Sequence, residues 1–282
     1  MASLDCAGRV LDLSRPCVMG ILNVTPDSFS DGGDFYGIAP ALRRAERMVE
    51  EGADILDIGG ESTRPGAMPV SVQEELGRVV PVIEALSSRI SLPISIDTSK
   101  PEVMRAAVDA GAAMINDVRA LRRPGALEAA ADTCVPVCLM HMQGEPGTMQ
   151  AAPAYRDVVS EVRDFLRLRI DACIGVGITP DRVLLDPGFG FGKMPKHNLA
   201  LLAGLADLCI LGPPVLVGLS RKSMIGDLTG RSVAERLAGS LAAVTLAVER
   251  GARVVRVHDV APTVDALRVA WAVPGFREAR VL

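Results

Sequence analysis

Residues 93–117 read PISIDTSKPEVMRAAVDAGAAMIND, and they contain one complete unit of the pattern that predicts the fold. A short apolar run ends on Asp97, an amphipathic segment begins at Pro101, and a second apolar run ends on Asn116 and Asp117. Apolar runs of about four to eight residues are typical of buried strands, and the segment between them has the spacing of a helix. The stretch therefore predicts a strand, a helix and a strand, with polar residues where each strand ends.

The same unit recurs along the whole chain. Eight apolar runs have strand length: VMGILN from 18, DILDIG from 54, PISIDT from 93, AAMIND from 112, VPVCLMH from 135, RVLLD from 182, PVLVGLS from 214 and RVVRVHD from 253. Longer amphipathic segments separate them, among them 41–53, 71–86, 101–112 and 233–252. About eight such alternations in ~250 residues are typical of a (β/α)₈ barrel.

We therefore predict an α/β fold, a (β/α)₈ TIM barrel that forms a single domain over residues 1–282. Residues 1–16 precede the first barrel strand and are predicted to form a hairpin that closes the barrel bottom. The alternative is a doubly wound open sheet. It is disfavoured because no G-x-G-x-x-G follows the first strand.

Composition excludes several classes of protein. With 49% hydrophobic and 23% charged residues, the chain is expected to be globular. The net charge is -4 and the Lys and Arg residues are scattered, so no nucleic-acid partner is predicted. No export signal and no segment of ~20 uncharged apolar residues is visible, which predicts a cytoplasmic protein without a membrane span. The six cysteines form no C-x-x-C pair, and we expect buried, reduced thiols without a metal.

The predicted strand ends carry most of the candidate functional residues. Active sites of (β/α)₈ barrels lie at the C-terminal ends of the strands. The polar residues there are Asn23, Asp57 with Glu61, Asp97, Asn116 with Asp117, His141, Asp186, Ser220 to Lys222, and Arg256 with His258. A helix cap explains any one of them but not the whole set.

Asp97 and Asp186 each follow a hydrophobic strand directly. An unpaired charge is costly in such a place, so each carboxylate is expected to have a partner. Two carboxylates on one cavity could bind a metal, act as acid and base, or accept hydrogen bonds from a ligand rich in N–H groups. Asn116 and Lys222 nearby favour a polar ring over a metal cage.

Arg256 and His258 are two residues apart, so their side chains point to the same face of the predicted strand. A guanidinium beside an imidazole suits a phosphate or pyrophosphate, and Arg64 in the ESTRPGA loop would serve the same anion. His141 is either a site residue or a residue of the layer behind it. His197 is interpreted as an ordinary residue at a helix start.

The stretch DPGFGFGK contains three glycines after a predicted strand. It lacks the G-x-x-x-x-G-K-[ST] spacing and is therefore no P-loop. We interpret its glycines as positions that let the backbone and Phe189 or Phe191 lie close to a flat ligand.

Long motifs at these strand ends together resemble the bacterial dihydropteroate synthase family. They are GILNVTPDSFSDGG, DIGGESTRPGA, ISIDTSKPEV, INDVRAL, CLMHMQG, LLDPGFGFGK, VGLSRKSMIG and RVHDV, in the family's order from about residue 18 to residue 260. The resemblance implies a (β/α)₈ barrel, in agreement with the alternation. It also implies an enzyme of folate biosynthesis that joins p-aminobenzoate to 6-hydroxymethyl-7,8-dihydropterin pyrophosphate, giving 7,8-dihydropteroate and pyrophosphate.

The resemblance further implies a role for each matching residue. The pterin would be held by Asp97, Asn116, Asp186 and Lys222. The pyrophosphate would be held by Thr63, Arg64, Arg256 and His258, and the cofactor Mg²⁺ by Asn23. The p-aminobenzoate pocket would be shaped by Phe191, Lys222, Ser223 and the loops around Phe29 and Pro65, with Asp31 as a further loop candidate. Of these, the residues expected to act in catalysis are Asp97, Lys222, Arg256 and His258.

The mechanism implied by the family is dissociative. The C–O bond to pyrophosphate breaks early, the pterin ring spreads the resulting charge, and the amine of p-aminobenzoate then attacks. Sulfonamides compete for the p-aminobenzoate pocket in this family. The GFGFGK segment is intact here, so we expect ordinary sensitivity to sulfonamides.

Two expectations concern larger parts of the chain. The segment LAGSLAAVTLAVE is apolar on more than one face, which indicates extra burial, either in a homodimer interface or under an insertion that packs over it, and we expect a homodimer. The polar loop over residues 25–37 is interpreted as a lid that carries Phe29 and excludes water when it closes.

Three rival functions were weighed. A pterin-binding corrinoid methyltransferase has similar Asp and Asn residues at its strand ends, but it has no pyrophosphate to hold. A catalytically silent pterin-binding paralogue is disfavoured by the intact Asn23, Lys222, Arg256 and His258. A sugar-phosphate isomerase would need an enolising base, and the sequence offers no clear one.

Overall fold

The structure, a computed structural model, describes residues 3–25, 38–63, 66, 68–145, 147–274 and 276. Eight parallel strands form the barrel: β3 (Cys17–Asn23), β4 (Ile55–Gly59), β5 (Ile94–Asp97), β6 (Met114–Asp117), β7 (Val137–Met140), β8 (Val183–Asp186), β9 (Leu216–Val217) and β10 (Val254–Val257). They neighbour one another in the order β8-β7-β6-β5-β4-β3-β10-β9. A parallel bridge between Leu185 and Val215 joins the two end strands. The predicted (β/α)₈ barrel is thus confirmed, and the open-sheet alternative is wrong.

Strand β9 is much shorter than its apolar run. The run extends from residue 214 to 220, but only Leu216 and Val217 form regular strand. Pro213 and Pro214 precede it, and proline has no N–H to donate to a sheet. The barrel therefore closes through this short strand and the single bridge at Val215.

Helices surround the strands. They are α1 (Ile38–Glu50), α2 (Val72–Ser87), α3 (Pro101–Asp109), α4 (Ala126–Thr133), α5 (Val158–Gly175), α6 (Pro195–Ala203), α7 (Leu205–Cys209), α8 (Ser223–Thr229), α9 (Leu237–Glu249) and α10 (Val260–Ala272). Each of the longer ones buries one apolar face, as α1 does with Ala41, Leu42, Ala45 and Met48. The helix predicted from residue 233 begins only at Leu237, because Val233–Glu235 forms a separate 3₁₀ turn.

A hairpin covers the end of the barrel where the strands begin. Strands β1 (Ser3–Cys6) and β2 (Arg9–Asp12) pair in antiparallel fashion. Their buried side chains join one apolar cluster with the first residues of the barrel strands: Leu4, Cys6, Leu11, Leu13, Cys17, Met19, Ile55, Ala113, Met114, Cys138, Leu184, Leu216 and Val254. Arg9 also donates to the carbonyls of Leu92 (2.6 Å) and Ser87 (3.1 Å). Among the described residues, no hairpin covers the opposite end, where the strands finish.

The cysteines follow the prediction only in part. All six lie among the described residues, and they form no disulfide. Burial raises the pKa of Cys6 and Cys17 to about 12. Cys134, however, is exposed just after α4, and Cys209 is only half-buried. Within the described ranges, the chain has no helix with the length and apolar character that crossing a membrane requires.

Candidate active site

A cavity lies at the end of the barrel where the strands finish. Side chains from nearly every strand end contribute to it. Its lining consists of Ile21, Thr63, Asp97, Asn116, Val118, Met140, Asp186, Gly188, Phe189, Phe191, Gly218, Ser220, Lys222, Arg256 and His258. The polar strand ends therefore converge on one place, as expected for the C-terminal face of a barrel.

Strand register sets the positions of one side of this cavity. Asn23 of β3 pairs with Gly59 of β4, Gly59 with Asp97 of β5, and Asp97 with Asn116 of β6. These residues form one layer across four strands. Gly59 lies between Asn23 and Asp97, since an added Cβ there would be in ordinary van der Waals contact with Cβ of Asp97 at 3.5 Å and with Oδ1 of Asn23 at 3.8 Å.

Arg256 bridges two carboxylates beneath the cavity. Its Nε donates to Oδ2 of Asp57, and its Nη2 donates to Oδ2 of Asp97 at 2.7 Å. Asp57 is completely buried and also accepts a hydrogen bond from Asn116 at 3.1 Å. Burial alone would lower the pKa of Arg256, but Asp57 and Asp97 outweigh it and raise that pKa above the ordinary value. The guanidinium is thus firmly charged.

Asp97 has an unusual protonation equilibrium. Burial raises its pKa to about 7, although Arg256 opposes the shift, and the neighbouring carboxylates of Asp57, Asp117 and Glu75 add to it. A carboxylate poised in this way changes its charge and its hydrogen-bonding capacity near neutral pH. Asp97 can therefore accept two N–H bonds when ionised and donate one when protonated.

The other side of the cavity pairs Asp186 with Lys222. Oδ1 of Asp186 accepts the N–H of Gly188 at 2.7 Å, while burial raises the pKa of this carboxyl. Burial also lowers the pKa of Lys222 to about 8, and Asp186 opposes that shift. Nζ of Lys222 lies 4.3 Å from the ring centroid of Phe191, within cation–π range.

The side chains of His258 and Arg221 point in different directions, although both residues follow strand ends. His258 lines the cavity, and its Nδ1 lies 3.1 Å from Oγ of Ser220. Burial, together with Arg256, lowers the pKa of His258 to about 4, so its imidazole is neutral at pH 7. Arg221 instead forms an ion pair with Asp259, Nη2 to Oδ1 at 2.5 Å, away from the cavity.

Two glycines of DPGFGFGK lie close to the neighbouring chain segment. Gly188 and Gly192 have φ values of +69° and +61°. A Cβ on Gly188 would meet the carbonyl oxygen of His141 at 1.9 Å, and one on Gly192 would meet that of Gln143 at 2.3 Å. These two glycines therefore allow close contact with the loop after β7. Gly188, Phe189 and Phe191 also line the cavity, and their contact with a flat ligand stays a prediction.

Comparison with known proteins agrees with this geometry. Residues 19–258 match the family model described as pterin binding enzyme. The chain is 56% identical to the dihydropteroate synthase of Escherichia coli K12 over 275 residues, 98% of each chain. The chain belongs to the dihydropteroate synthase family. It is thus a transferase, and dihydropteroate synthase is its activity.

Solved structures show the same similarity to the synthase. Dihydropteroate synthase of Xanthomonas albilineans with 4-aminobenzoic acid is 61% identical, with a TM-score of 0.92, over 97% of this chain and 99% of that one. Dihydropteroate synthase of Yersinia pestis in a sulfonamide drug complex is 53% identical, also with a TM-score of 0.92, over 96% of this chain and 98% of that one. This similarity to dihydropteroate synthases disfavours the two rival functions, those of a corrinoid methyltransferase and of a sugar-phosphate isomerase.

Most residues predicted for the synthase site line the cavity. They are Thr63, Asp97, Asn116, Asp186, Phe191, Lys222, Arg256 and His258. Asn23 lies at the end of β3, beside the cavity rather than in its lining. Ser223 is exposed at the start of α8 and is not brought into the lining. The predictions for Arg64, Phe29, Asp31 and Pro65 fall outside the described residues.

The two further histidines take places behind the site. His141 is buried and does not line the cavity; its Nδ1 lies 2.8 Å from Nζ of Lys193. This favours the interpretation of His141 as a residue of the layer behind the site. His197 lies in the first turn of α6, as predicted, and its Nδ1 accepts the N–H of Met194 at 3.2 Å.

Sequence reasoning missed three buried charged residues of the synthase. Asp57 was noted at a strand end, but its double pairing with Asn116 and Arg256 was not expected. Lys100 is buried and holds Glu61 at 2.8 Å together with the buried Glu75. Lys193 is buried behind Phe191. Asp57 and Lys193 stand out as charges within an apolar and a glycine-rich stretch, but Lys100 follows the polar residues 97–99 and carries no such signal.

Proposed function

We propose that the synthase condenses 6-hydroxymethyl-7,8-dihydropterin pyrophosphate with p-aminobenzoate in a Mg²⁺-dependent, dissociative reaction of folate biosynthesis. The observation that carries the proposal is one cavity lined both by two carboxylates, Asp97 and Asp186, and by a guanidinium and an imidazole, Arg256 and His258. One part of this cavity suits a ligand rich in N–H donors, and the other suits an anion.

The pterin would lie against Asp97, Asn116, Asp186 and Lys222. An aminopyrimidinone ring presents adjacent N–H donors, and carboxylates are the side chains best able to accept them. The amide of Asn116 is already oriented by its bond to Asp57, 3.1 Å from Nδ2 to Oδ2. Side chains that are already oriented lose little further entropy when the ring binds, and the bound ring holds the reacting carbon in place.

The pyrophosphate would lie against Arg256, His258 and Thr63, with Arg64 as a further contact. Arginine has five N–H donors. Arg256 uses its Nε and one Nη2 hydrogen for the two aspartates, so N–H groups remain for an anion. The Ser220 hydroxyl can donate to Nδ1 of His258, which leaves Nε2–H free to donate to the same anion.

The donor set fits Mg²⁺ that is carried by the substrate. Asn23 offers a neutral amide oxygen at the end of β3, and Mg²⁺ in phosphate sites keeps several waters and takes few protein ligands. Among the residues that the structure describes, no group of three or more His, Cys, Asp or Glu side chains is arranged as a closed metal cage. Asn23 would hold the ion, and the ion would neutralise negative charge on the pyrophosphate.

In the dissociative step, the protein's task is electrostatic and positional. Arg256 and His258 would stabilise the negative charge that grows on the leaving pyrophosphate, while the anchored pterin spreads the positive charge left on its methylene carbon. Asp97 and Asp186 lie within the same cavity, and their ionised forms would favour such a cation. The amine of p-aminobenzoate then attacks, and no strong general base is required.

The p-aminobenzoate would lie against Phe191 and Lys222, with Ser223 and the loop residues Phe29, Asp31 and Pro65 nearer the opening. An aromatic ring packed beside a cation supplies both an apolar wall and a positive charge for a carboxylate. The 4-aminobenzoic acid and sulfonamide complexes of the two similar synthases support this assignment. We expect sulfonamides to compete at this wall. The loop over residues 25–37 would close over the site as a lid.

We also propose a cytoplasmic homodimer. Helix α9 buries one face, with Ala243, Val244 and Ala247, but exposes Leu237 and Leu246 on another, which supports a further partner surface. Sedimentation of the purified protein as a dimer would agree with this, and a monomer at all concentrations would contradict it.

The deciding experiment is an assay of pyrophosphate release. We expect release that depends on both p-aminobenzoate and Mg²⁺, and inhibition by a sulfonamide that is relieved by added p-aminobenzoate. Release without p-aminobenzoate, or binding of pterin without any release, would contradict the proposal. The second outcome is the behaviour of a catalytically silent paralogue.

A further inference from the structure

Lys193 is buried although it lies only two residues after the cavity wall. Its side chain is 2% exposed, and lysine is rarely so buried without partners. Its Nζ lies 2.9 Å from the carbonyl oxygen of Gly188 and 3.1 Å from that of Phe191. It also lies 2.8 Å from Nδ1 of His141, with a longer contact of 3.4 Å to the carbonyl of His141. An ammonium has three N–H donors, and these contacts use them all.

His141 is suited to accept from this lysine. Burial and the nearby charge of Lys193 lower the pKa of His141 to about 2, so the imidazole is neutral and can accept through Nδ1 with its proton on Nε2. The ring is held edge-on by Phe165, with 4.9 Å between the ring centroids. His141 is therefore a fixed, uncharged hydrogen-bond acceptor for Nζ of Lys193.

The turn between Gly188 and Lys193 is held at several backbone atoms. The carbonyl of Gly190 accepts from Gln150 at 2.5 Å, and the N–H of Gly190 donates to Asn198 at 2.8 Å. The carbonyl of Gly192 accepts from Tyr155 at 2.7 Å. Lys193 supplies the contacts at Gly188 and Phe191. Phe191, whose ring lies beside Nζ of Lys222, is thus held at its carbonyl by Lys193.

We propose that Lys193, bound to His141, is the positioning residue that holds Phe191 against Lys222 and so fixes the part of the cavity wall that receives p-aminobenzoate. The inference rests on the proposed placement of p-aminobenzoate at Phe191. It adds to that placement two residues that lie behind the wall rather than in it. Without Lys193, the carbonyls of Gly188 and Phe191 would lose their donor in a buried place, and the turn would rearrange to satisfy them.

The test compares Lys193→Met with the wild-type enzyme. Methionine keeps the length of the side chain and removes its charge and its donors. We expect the KM for p-aminobenzoate and the inhibition constant of a sulfonamide to rise together by about tenfold, the range expected when buried hydrogen bonds are lost. The KM for the pterin pyrophosphate and kcat at saturating p-aminobenzoate should change little, because Asp97, Asn116 and Arg256 are untouched.

Arg182→Met is the matched control. Arg182 holds the carbonyl of Val135 at 3.0 Å and that of Ala130 at 3.5 Å, at the end of the barrel away from the cavity. Its loss removes a cation from buried carbonyls and should lower thermal stability without changing either KM. If Lys193→Met behaves in the same way, with lower stability and an unchanged KM for p-aminobenzoate, Lys193 is only structural and the inference is wrong.

A second pair of variants decides the matter if Lys193→Met does not fold. His141→Leu removes the acceptor and should raise the KM for p-aminobenzoate, whereas His141→Asn keeps an oxygen acceptor near the position of Nδ1 and should restore it. Equal KM values in both variants would overturn the inference. Wild-type enzyme without p-aminobenzoate-dependent pyrophosphate release would overturn the proposed function itself. If the wild-type enzyme releases pyrophosphate normally and the variants keep its KM for p-aminobenzoate, this inference alone is overturned.

Discussion

At one end of the barrel, the first residues of the strands pack with the β1–β2 hairpin in a cluster built from Leu, Met, Ile, Val, Ala and Cys side chains. At the other end, the same strands carry Asp97, Asn116, Asp186 and Arg256 around an open cavity. The apolar end is stabilised by removal of surface from water. The polar end holds charges whose desolvation costs free energy, and Oδ1 of Asp57 finds no hydrogen-bond partner among the described residues.

This difference separates stability from activity along the same strands. Substitutions in the apolar cluster should change the free energy of unfolding and leave the chemistry alone. Substitutions at the polar end should change binding or rate, and some of them should even spare stability. Arg256 is the residue for which both effects should appear, because it serves the site and also neutralises the buried Asp57.

The largest effect is expected for Arg256→Met. Loss of one preorganised donor to a developing anion typically lowers kcat by about 10²–10³. Removal of the partner of a buried carboxylate also costs roughly 3–5 kcal/mol of stability. Steady-state kinetics well below the unfolding midpoint, with thermal unfolding in parallel, would measure both. If p-aminobenzoate binding weakens more than kcat falls, Arg256 does not act on the leaving group.

Leu4→Ala tests the opposite end. Leu4 is buried in the hairpin cluster, and truncation of a buried leucine to alanine costs roughly 3 kcal/mol. Activity of the folded enzyme should be unchanged, because the cavity is at the other end of the strands. Val10→Ala on the same hairpin is the control, since Val10 is 69% exposed. A loss of activity in folded Leu4→Ala would show that the two ends are coupled.

The sequence predicted the two ends with different success. All eight barrel strands and the convergence of Asp97, Asn116, Asp186 and Arg256 followed from period and position alone. The ion pairs did not, because they join distant parts of the chain: Arg256 and Asp57 are 199 residues apart. A pattern locates a residue on its own strand, but side-chain partners depend on how the strands are arranged around the barrel.

Asp97→Asn should have a smaller effect than the loss of Arg256. A hydrogen bond to a charged group contributes about 1.5–3 kcal/mol, so pterin affinity should fall by about 10- to 100-fold. Asp109→Asn is a suitable control, because Asp109 is exposed at the end of α3. Calorimetric titration with a pterin would measure the change. Unchanged affinity in Asp97→Asn would remove Asp97 from the proposed pterin site.

The smallest expected effect is a pH dependence that belongs to the polar end. Burial raises the pKa of Asp97 to about 7. Its ionised form is therefore lost as pH falls through 7, and pterin affinity should decrease by about tenfold per pH unit below that value if the carboxylate is the binding form.

The folded state then binds a proton that the unfolded chain releases near pH 3.8. The contribution of Asp97 to stability is thus present below pH 3.8 and decreases as pH rises toward 7. Both dependences should disappear in Asp97→Asn and persist in Leu4→Ala, and a pH profile shared by all three proteins would assign the titration to another group.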